Sequence, residues 1–398
     1  MPATPDEQLH TLTWNAAEVV PVDGLATKLG AGRPLRVKLG LDPTASAVTL
    51  GWAVVLRKLK EFQDFGHTAV LIVGDFTARI GDPSEQDRTR PMLSKEEVEE
   101  YTQRVLDQFF LILDRDRTEV RRNSEWLEAL GVEGFLELAS HQTVARTLQR
   151  DDFSQRYGSG APISLREFVY PLLQGYDSVA VRADVELGGT DQHFNLLVGR
   201  DLQRAYGQEP QAVLTMPLIE GTDGVRKMSQ SLGNYIAITD EPDEIFGKIM
   251  SIPDGLMDKY FRLTSGLTAE EIDAIANEQP RPEVRKRVLA RQVVRLYHGD
   301  EAAARAAERF DKVFVDGQVP GDIPDVPIPD GSVNGTKVYM PRLLAEIGFT
   351  ESNSAARRVI GQGGVYLDGR PLDTEEVEIA DIRGKVVAVG KRHFARMV

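Results

Sequence analysis

The first third of the chain alternates between two periodicities of apolar residues. In 34–41 apolar side chains recur at every second position, which predicts a strand. Residues 50–65 instead show helical spacing that stops at Gly66. Residues 68–76 form an unbroken apolar run of strand length, which is typical of a strand buried on both faces of a parallel sheet. Strand, helix and strand in this order predict a right-handed βαβ unit.

The loops that follow the two predicted strands define a candidate site. Parallel sheets of this kind bind ligands beyond the carboxyl ends of their strands. The two strands lead into the loops 40–51 and 74–90. We therefore expect functional residues in both loops, close together in the folded chain.

The middle of the chain is mainly helical by pattern, up to a change of composition near residue 315. The pattern predicts helices over most of 95–204, a short strand at 213–219, a turn at 221–224 and a helical block over 241–314. Residues 315–335 are acidic and rich in proline, which indicates an extended linker rather than packed structure.

The last segment, 338–398, differs from the rest of the chain in charge. It holds nine basic and eight acidic residues, whereas the whole chain has a net charge of −14. A small module with a basic face fits binding to an RNA backbone. A solvated helix followed by a basic tail fits the composition equally well. The basic residues that we assign to RNA binding are Arg357, Arg358, Lys391, Arg392 and Arg396.

The overall composition is that of an ordinary globular protein. At 398 residues, with 41% hydrophobic and 27% charged side chains, the chain is long enough for two or three domains. Cysteine is absent, which excludes disulfides and thiolate metal sites, and we expect no protein-bound metal. No apolar run approaches the roughly 18 residues of a spanning helix, and the N-terminus lacks the pattern of a signal peptide. We therefore expect a cytoplasmic protein with no membrane partner.

A glycine marks the turn between the first predicted strand and helix. The segment 40–52 reads GLDPTASAVTLGW, and Gly51 has no side chain that would keep a phosphate or ribose away from the helix N-terminus. The alternative is that the glycine serves only the geometry of the turn.

A second segment places three polar groups on one helical face. Tyr170, Gln174 and Asp177 are spaced i, i+4 and i+7, and the polar run 188–195 (GGTDQHFN) follows. A phenol, an amide and a carboxylate among apolar neighbours suggest a pocket for a zwitterion or a hydroxyl group. An exposed polar stripe is the alternative, which the neighbouring leucines disfavour.

A third segment, 227–234, reads KMSQSLGN after an Asp-Gly turn. A lysine and two serines in a loop can close over a polyphosphate. Without further context, a plain solvated turn explains the same residues.

Together with VKLGLDPTA and GDFTARIGDPS, these segments resemble the class I aminoacyl-tRNA synthetases, and within them the bacterial tyrosyl-tRNA synthetase family. The resemblance extends over nearly the whole chain and implies an α/β architecture, namely a Rossmann-like parallel-sheet catalytic domain, a helical domain and a small α+β RNA-binding module. It further implies a homodimer whose substrates are L-tyrosine, ATP with Mg²⁺, and tRNA(Tyr). The implied domains are 1–235, with a helical dimer-interface insertion, 236–314 on the anticodon side, the linker 315–335 and the RNA-binding module 336–398.

The resemblance also implies roles for individual residues. Tyrosine would be held by its amino group at Asp82, Tyr170 and Gln174, by its phenol hydroxyl at Asp177 and by its carboxylate near Gln192. ATP contacts are implied for Gly40, Asp42, Thr49, Gly51, Trp52, Asp191, Lys227, Ser229, Gln230 and Ser231. Catalytic contacts are implied for Thr49, Trp52, Arg90, Lys227 and Gln230.

The segments implied to handle ATP depart from the family pattern. Thr49-Leu-Gly-Trp52 stands at the His-x-Gly-His motif, and Gln230 replaces the second lysine of Lys-Met-Ser-Lys-Ser. Glu85 and Gln86 stand where the family has a glycine and a basic residue. Removal of one positioned donor costs about 10²–10³ in rate in such reactions. Three hypotheses follow, namely a tyrosine–tRNA ligase, a catalytically weakened or inactive paralogue that regulates by binding tyrosine or RNA, and a tyrosine-activating enzyme with another acceptor.

Overall fold

A computed structural model describes residues 3–82, 94–314, 323–390 and 393–398. The chain divides into two compact units, Met1–Gly299 and Asp300–Val398.

The first unit is organised by a six-stranded sheet. Its strands are β1 Glu18–Val20, β2 Arg36–Leu41, β3 Thr68–Val73, β4 Thr118–Arg122, β5 Val185–Gly189 and β6 Ala212–Met216. Their spatial order is β1-β6-β5-β2-β3-β4. Five strands are parallel, and only β1 runs antiparallel to its neighbour β6. The predicted α/β class is therefore confirmed.

Helices cover the sheet and continue beyond it. They are α1 Pro5–Thr13, α2 Gly24–Gly30, α3 Leu50–Asp64, α4 Lys95–Phe109, α5 Ser124–Leu127, α6 Gly131–Ser140, α7 Val144–Thr147, α8 Asp151–Ser159, α9 Leu165–Val181, α10 His193–Ala205, α11 Pro242–Ser251, α12 Met257–Thr264, α13 Ala269–Glu278 and α14 Pro282–Phe314. The helical stretch α14 is interrupted at Gly299, whose φ is 85°. The predicted helical block over 241–314 thus consists of five helices, because α14 is two helices that meet at Gly299.

The predicted βαβ unit is present. Strands β2 and β3 are parallel neighbours, and α3 forms the crossover between them. Helix α3 begins at the N-cap Thr49, and its apolar face, which includes Leu59 and Phe62, is fully buried. Strand β3 ends at Val73, three residues before the predicted end of the apolar run.

The strand order places a switch point beside β2. The chain moves from β2 to β3 and β4 on one side, whereas β5 and β6 lie on the other side of β2. A ligand in a sheet of this type binds in the crevice beyond the carboxyl ends of the two strands at that point. The residues that follow Leu41 and Gly189 are therefore placed at the mouth of a crevice.

Helices α9 and α10 pack against each other at short range. A Cβ atom on Gly175 would press against the backbone nitrogen of Gly199 and the side chain of Leu202. Glycine is therefore required at this position for the two helices to approach. This contact fixes the face of α9 that carries Gln174 and Asp177.

A buried ion pair ties α9 to the centre of the sheet. The Lys38 ammonium on β2 lies 2.7 Å from Glu186 on β5 and donates to the Ser178 hydroxyl at 2.8 Å and to the Gln174 carbonyl at 3.1 Å. Lys38 and Glu186 are 0% and 1% exposed. Glu186 also accepts hydrogen bonds from Ser178 and from Gln211. The pair is thus fully hydrogen-bonded, which buried charges require.

Two strands lie inside the region that the pattern predicts as mainly helical. Strand β4 reads TEVRR and sits at the sheet edge, where Glu119 pairs with Arg36 at 2.8 Å. Strand β5 reads VELGG and carries the buried Glu186. Charged residues interrupt both apolar patterns, and Glu119 and Glu186 find their partners Arg36 and Lys38 in a distant part of the chain.

The second unit is a small α+β body, as predicted. Its strands are β7 Asp325–Val326, β8 Val333–Asn334, β9 Lys337–Tyr339, β10 Val365–Leu367, β11 Arg370–Pro371, β12 Glu376–Glu378, β13 Val386–Val389 and β14 His393–Met397, with helices α15 Met340–Glu346, α16 Asn353–Gly361 and α17 Ile379–Ile382. The strands form two sheets, β11-β10-β13-β14-β7 and β12-β9-β8. Their shared core includes Leu343, Leu344 and Val387, all fully buried.

The prediction of an unpacked linker over 315–335 is wrong for its second half. Residues 315–322 lie outside the described part of the chain. Strand β7 pairs with β14 and β8 pairs with β9, while Ser332 between them is 1% exposed. Pro324 and Pro327 flank β7, and both strands are only two residues long, which explains why the sequence gives no strand pattern there.

The buried pair makes a direct prediction about stability. Lys38→Met leaves Glu186 charged and unpaired in the interior, so we expect the free energy of unfolding to fall by about 3–5 kcal/mol. The double variant Lys38→Met/Glu186→Met removes both charges of the pair, and we expect it to recover most of that loss. The measurement is urea unfolding followed by tryptophan fluorescence, which reports on the first unit because Trp14, Trp52 and Trp126 all lie in it.

Lys60→Met is the matched control, because Lys60 forms an ion pair with Asp64 near the surface of α3. We expect its effect to stay within about 0.5 kcal/mol. A loss for Lys38→Met no greater than that of the control contradicts the structural importance of the buried pair.

Candidate active site

One cavity of about 840 Å³ lies beyond the carboxyl ends of β2 and β5. The predicted site residues that line it are Gly40, Asp42, Thr49, Gly51, Trp52, Asp82, Tyr170, Gln174, Asp177, Asp191, Gln192, Lys227, Ser229, Gln230 and Ser231. Arg90, Glu85 and Gln86 lie outside the described residues. Segments that are far apart in the sequence thus meet at the predicted switch point of the sheet.

Asp177 is held at one end of the cavity by two nitrogen donors. The Trp126 indole donates to Oδ1 of Asp177 at 2.8 Å, and the Asn123 amide donates to Oδ2 at 3.4 Å. Burial raises the pKa of Asp177 from 3.8 to about 7, although the charge of Lys38 and these hydrogen bonds oppose the shift. Its orientation is therefore fixed before any ligand binds. The sequence does not single out Asn123 or Trp126.

Asp42 accepts two further hydrogen bonds within the cavity wall. The Tyr170 hydroxyl donates to Oδ2 at 2.8 Å and the Thr77 hydroxyl donates to Oδ1 at 2.6 Å. A side chain on Gly74 would overlap with both Asp42 and Thr77, so glycine is needed for this contact. Burial raises the pKa of Asp42 to about 7, with a further contribution from Asp82.

A chain of amides and carboxylates continues along the wall. The Asn195 amide donates to Gln174 at 2.9 Å and to Gln192 at 3.1 Å, and Gln192 donates to Asp82 at 2.9 Å. The Arg150 guanidinium donates to Asn195 at 3.0 Å and lies 3.6 Å from Asp82. Asn195 ends the polar run noted in the sequence, whereas no sequence pattern marks Arg150. This wall offers both donors and acceptors to a zwitterion.

The opposite end of the cavity is formed by the N-terminus of α3 and by the loop 227–234. The Thr49 hydroxyl accepts from the Trp52 backbone N–H at 3.4 Å and so caps the helix. The Lys227 ammonium lies 3.1 Å from Asp191. The Gln230 amide donates to the Ala47 carbonyl at 2.6 Å and joins the loop to the turn before α3. Thr49 stands at the position of the first histidine of the family motif. Its hydroxyl has a structural role there, because it caps α3.

Acidic side chains outnumber basic ones among the described residues that line the cavity, although burial raises the pKa values of Asp42 and Asp177 to about 7. Among its described lining residues are the four carboxyl groups of Asp42, Asp82, Asp177 and Asp191, against the single ammonium of Lys227. Among all residues that the structure describes, no group of three His, Asp or Glu residues is arranged to hold a metal ion. None of the described helices is long and apolar enough to cross a membrane.

Two of the basic residues that we assign to RNA binding, Arg357 and Arg396, lie close to acidic side chains. Arg357 and Arg358 are exposed on α16, and Arg357 donates to the Tyr339 hydroxyl at 2.9 Å and lies 3.2 Å from Glu375. Arg396 lies 3.8 Å from Asp325. Lys391 and Arg392 fall outside the described residues.

The chain is similar to known proteins over its full length. The family of class I tRNA synthetases (W and Y) matches residues 30–315. A tyrosine–tRNA ligase of Thermotoga maritima is 49% identical and covers 99% of this chain and 98% of its own. One from Aquifex aeolicus is 48% identical, with 99% of both chains covered.

Solved structures show the same fold at lower identity. A tyrosyl-tRNA synthetase from Archaeoglobus fulgidus, complexed with L-tyrosine, is 23% identical with a TM-score of 0.61, over 76% of this chain and 99% of that one. A C-terminally truncated mitochondrial tyrosyl-tRNA synthetase from Aspergillus nidulans gives a TM-score of 0.64 at 21% identity, over 78% and 94%.

With a parallel sheet, a cavity at its switch point and these matches, the chain belongs to the class I tRNA synthetases. Within that class it belongs to the bacterial tyrosyl-tRNA synthetase family, as the sequence motifs predict.

The raised pKa of Asp42 makes a prediction about pH and stability. The folded state holds the proton up to about pH 7, whereas the unfolded chain loses it near pH 3.8, so the stability that this group contributes is lost as the pH rises through that window. In Asp42→Asn that titration is absent. Relative to the wild type, we expect the variant to gain stability by up to about 4 kcal/mol between pH 4 and pH 7.

The measurement is the difference in urea unfolding free energy between variant and wild type at several pH values, which cancels the other titrating groups. Asp201→Asn, on the exposed pair with Arg204, controls for the loss of one negative charge. A difference that stays constant or shrinks with rising pH contradicts the prediction.

Proposed function

We propose that this protein is a tyrosine–tRNA ligase that forms tyrosyl-adenylate from L-tyrosine and Mg-ATP and then esterifies tRNA(Tyr). The observation that carries the proposal is that Tyr170, Gln174 and Asp177 point into one cavity with Asp82 and Gln192. The full-length similarity to tyrosine–tRNA ligases supports the same reaction.

In this proposal the side-chain end of tyrosine is recognised by Asp177. Its carboxylate is oriented by Trp126 and Asn123, and it accepts a hydrogen bond from the phenol hydroxyl of the substrate. A phenylalanine ring has no hydroxyl, so it would leave a buried carboxylate without that partner, which is costly. Tyrosine is thus selected over phenylalanine both by its hydrogen bond to Asp177 and by the cost of leaving that buried carboxylate without a partner.

The amino and carboxylate groups of the substrate lie along the wall formed by Asp82, Tyr170, Gln174 and Gln192. The carboxylates and amide oxygens accept from the ammonium group, and the amide of Gln192 donates to the substrate carboxylate. A carboxylate oxygen of tyrosine then attacks the α-phosphorus, and the bond from phosphorus to the bridging oxygen breaks to release pyrophosphate. The attacking group is already ionised, so no protein base has to remove a proton.

The nucleotide end of the cavity has fewer hydrogen-bond donors and cations than the family motifs provide for this reaction. Thr49, Trp52 and Gln230 replace two histidines and a lysine of the family motifs, while Lys227 and Gly51 are kept. Positioned donors stabilise the charge that develops on the phosphates. We therefore propose a slow first step, with activity retained rather than lost. Arg90, in the segment outside the described residues, is proposed as a further contact to the phosphates.

The family also supports proposals about assembly and organisation. Val132 and Leu136, one turn apart on α6, are 77% and 62% exposed, and Val144 is 66% exposed. Apolar exposure of this kind marks an interface, and we assign it to a homodimer of the catalytic domain. We further propose functional divisions at 1–235 and 236–314 and a C-terminal module over 336–398 that also includes the paired strands within 325–334, with tRNA backbone contacts at its basic residues, in a cytoplasmic protein.

A binding role without ligase activity is the second candidate function. The replacement of two histidines and a lysine of the family motifs by Thr49, Trp52 and Gln230 favours it, because ATP is strongly anionic. It predicts tight binding of tyrosine and no binding of ATP in calorimetric titration. Exchange activity without charging of tRNA(Tyr) would instead point to another acceptor for the tyrosyl group.

The ligase proposal is tested by tyrosine-dependent exchange of pyrophosphate into ATP. We expect measurable exchange at high enzyme concentration, and an increase on the order of 100-fold or more in the triple variant Thr49→His/Trp52→His/Gln230→Lys. Charging of tRNA(Tyr) with labelled tyrosine tests the second step. The absence of exchange in both the wild type and the triple variant contradicts the proposal.

The role of Asp177 is tested by comparing tyrosine with phenylalanine. In Asp177→Asn a neutral amide replaces the charged acceptor, so we expect the preference for tyrosine, measured as the ratio of kcat/KM in exchange or of Kd in calorimetry, to fall about 10- to 150-fold. Asp201→Asn is the control for an exposed carboxylate on α10. An unchanged ratio would mean that the phenol hydroxyl lies elsewhere in the cavity.

A further inference from the structure

Lys227 belongs to a short hairpin, residues 219–228, in which it lies opposite Glu220. The two residues form an antiparallel bridge. The hydrogen bonds of this bridge, each 2.8 Å long, join the neighbouring residues on either side of the pair. In this arrangement the two side chains lie close together on one face, and the carbonyl groups of the pair point away from each other. The position of Lys227 therefore depends on where Glu220 is held.

Glu220 is held by two residues of α12. The Lys259 ammonium lies 2.9 Å from each carboxylate oxygen of Glu220. The Tyr260 hydroxyl donates to the Glu220 carbonyl at 2.6 Å. Tyr260 is fully buried, so the packing of α12 sets the position of its hydroxyl. Both the side chain and the backbone of the residue opposite Lys227 are thus bound to one helix.

The turn of the hairpin rests on the same part of the chain. A Cβ atom on Gly224 would overlap with the ring of Pro253, which lies just before α12. The preceding residue is also fixed, because the Lys286 ammonium of α14 donates to the Ile252 carbonyl at 2.6 Å. The hairpin therefore contacts the helical block 241–314 both at its turn and at Glu220.

Lys227 is the residue through which this anchor reaches the large cavity. It lines that cavity, and its ammonium lies 3.1 Å from the carboxylate of Asp191. A misplacement of about 1 Å in a group that must meet a developing charge can lower a rate about 100-fold. Contacts that fix the hairpin can therefore control the reaction without touching a substrate.

From these contacts we propose that Lys259 and Tyr260 are positioning residues, which hold Lys227 in place for the activation step by binding Glu220. The inference rests on the proposed function in one respect, namely that Lys227 contacts the phosphates while the adenylate forms. Neither Lys259 nor Tyr260 is among the described residues that line the large cavity. The helical block thus acts on the reaction through the hairpin.

Hydrogen exchange tests the anchoring without reference to catalysis. In the full chain, Tyr260→Phe removes only the hydroxyl that binds the Glu220 carbonyl. The N–H groups of Gly221 and Met228 donate the two hydrogen bonds of the hairpin. We expect them to exchange about 5- to 15-fold faster in the variant, measured by mass spectrometry of peptides that cover 219–228.

Tyr297→Phe is the matched control for this measurement. It removes a buried hydroxyl from α14, near Arg57 and not at the hairpin. We expect exchange over 219–228 to stay at the wild-type rate in this control. Exchange that is equally slow in Tyr260→Phe overturns the inference.

Single-turnover formation of tyrosyl-adenylate tests the consequence for catalysis. We expect Tyr260→Phe to lower the rate about 5- to 15-fold, and Lys259→Met to lower it by up to about 5-fold. The Kd for tyrosine, measured by calorimetry, should not change, because the Asp177 end of the cavity is left intact. Lys60→Met is the control for Lys259→Met, since the two lysines are 34% and 35% exposed in their ion pairs.

A double-mutant cycle separates the positioning of Lys227 from a general loss of structure. Lys227→Met alone is expected to lower the rate about 100-fold or more. In that background Tyr260→Phe should have no further effect, because the group that it positions is gone. A rate that falls by the same factor in both backgrounds means that Tyr260 acts independently of Lys227, and it overturns the inference.

Failure of this inference is distinguishable from failure of the ligase proposal. If the wild type forms adenylate and Tyr260→Phe does so at the same rate, only the positioning role is removed. If neither the wild type nor the triple variant at positions 49, 52 and 230 forms adenylate, the ligase proposal fails, and the role of Lys227 in activation fails with it. Hydrogen exchange then still decides whether α12 anchors the hairpin.

Discussion

The site depends on one buried ion pair that joins the two central strands to the helix above them. Lys38 on β2 pairs with Glu186 on β5, and the same ammonium holds the Gln174 carbonyl and the Ser178 hydroxyl of α9. Gln174 and Asp177 lie on that helix, so their positions are set by a charge at the centre of the sheet. The positive charge of Lys38 also opposes the rise in the pKa of Asp177. One interaction therefore serves the architecture and the electrostatics of the cavity together.

The two ends of the cavity are built on different physical principles. At the Asp177 end, side chains from α5, α9 and the turn before α5 are joined by hydrogen bonds to buried carboxyl groups, and each polar atom is oriented before a ligand arrives. At the Trp52 end, a partly exposed indole ring and the Gln230 amide, which donates to the Ala47 carbonyl, stand at positions where the family motifs have cations. Pre-organised polar groups favour selective binding of a small zwitterion.

Local patterns predicted those elements whose residues follow a single periodicity. The strand at 36–41, the helix at 50–64 and the amphipathic helix that carries Arg357 all lie where the apolar spacing places them. Strands β4 and β5 were not predicted because charged residues break their apolar runs, and the distant residues Arg36 and Lys38 that pair with Glu119 and Glu186 are not visible in the local pattern. Strands β7 and β8 were not predicted because they are only two residues long and lie in a proline-rich segment.

The sequence by itself determined the chemical types present at the site, the spacing of Tyr170, Gln174 and Asp177 on one helix, and the replacement of the family's histidines and lysine. Their order along the chain was enough to identify the family. Only the tertiary structure decided which groups contact each other. It joined Trp126 to Asp177, Arg150 to Asn195 and the Gln230 amide to the Ala47 carbonyl. Such contacts cross tens to hundreds of residues, and they form because folding removes water from the cavity and leaves each buried polar group dependent on whichever partner the packing brings near.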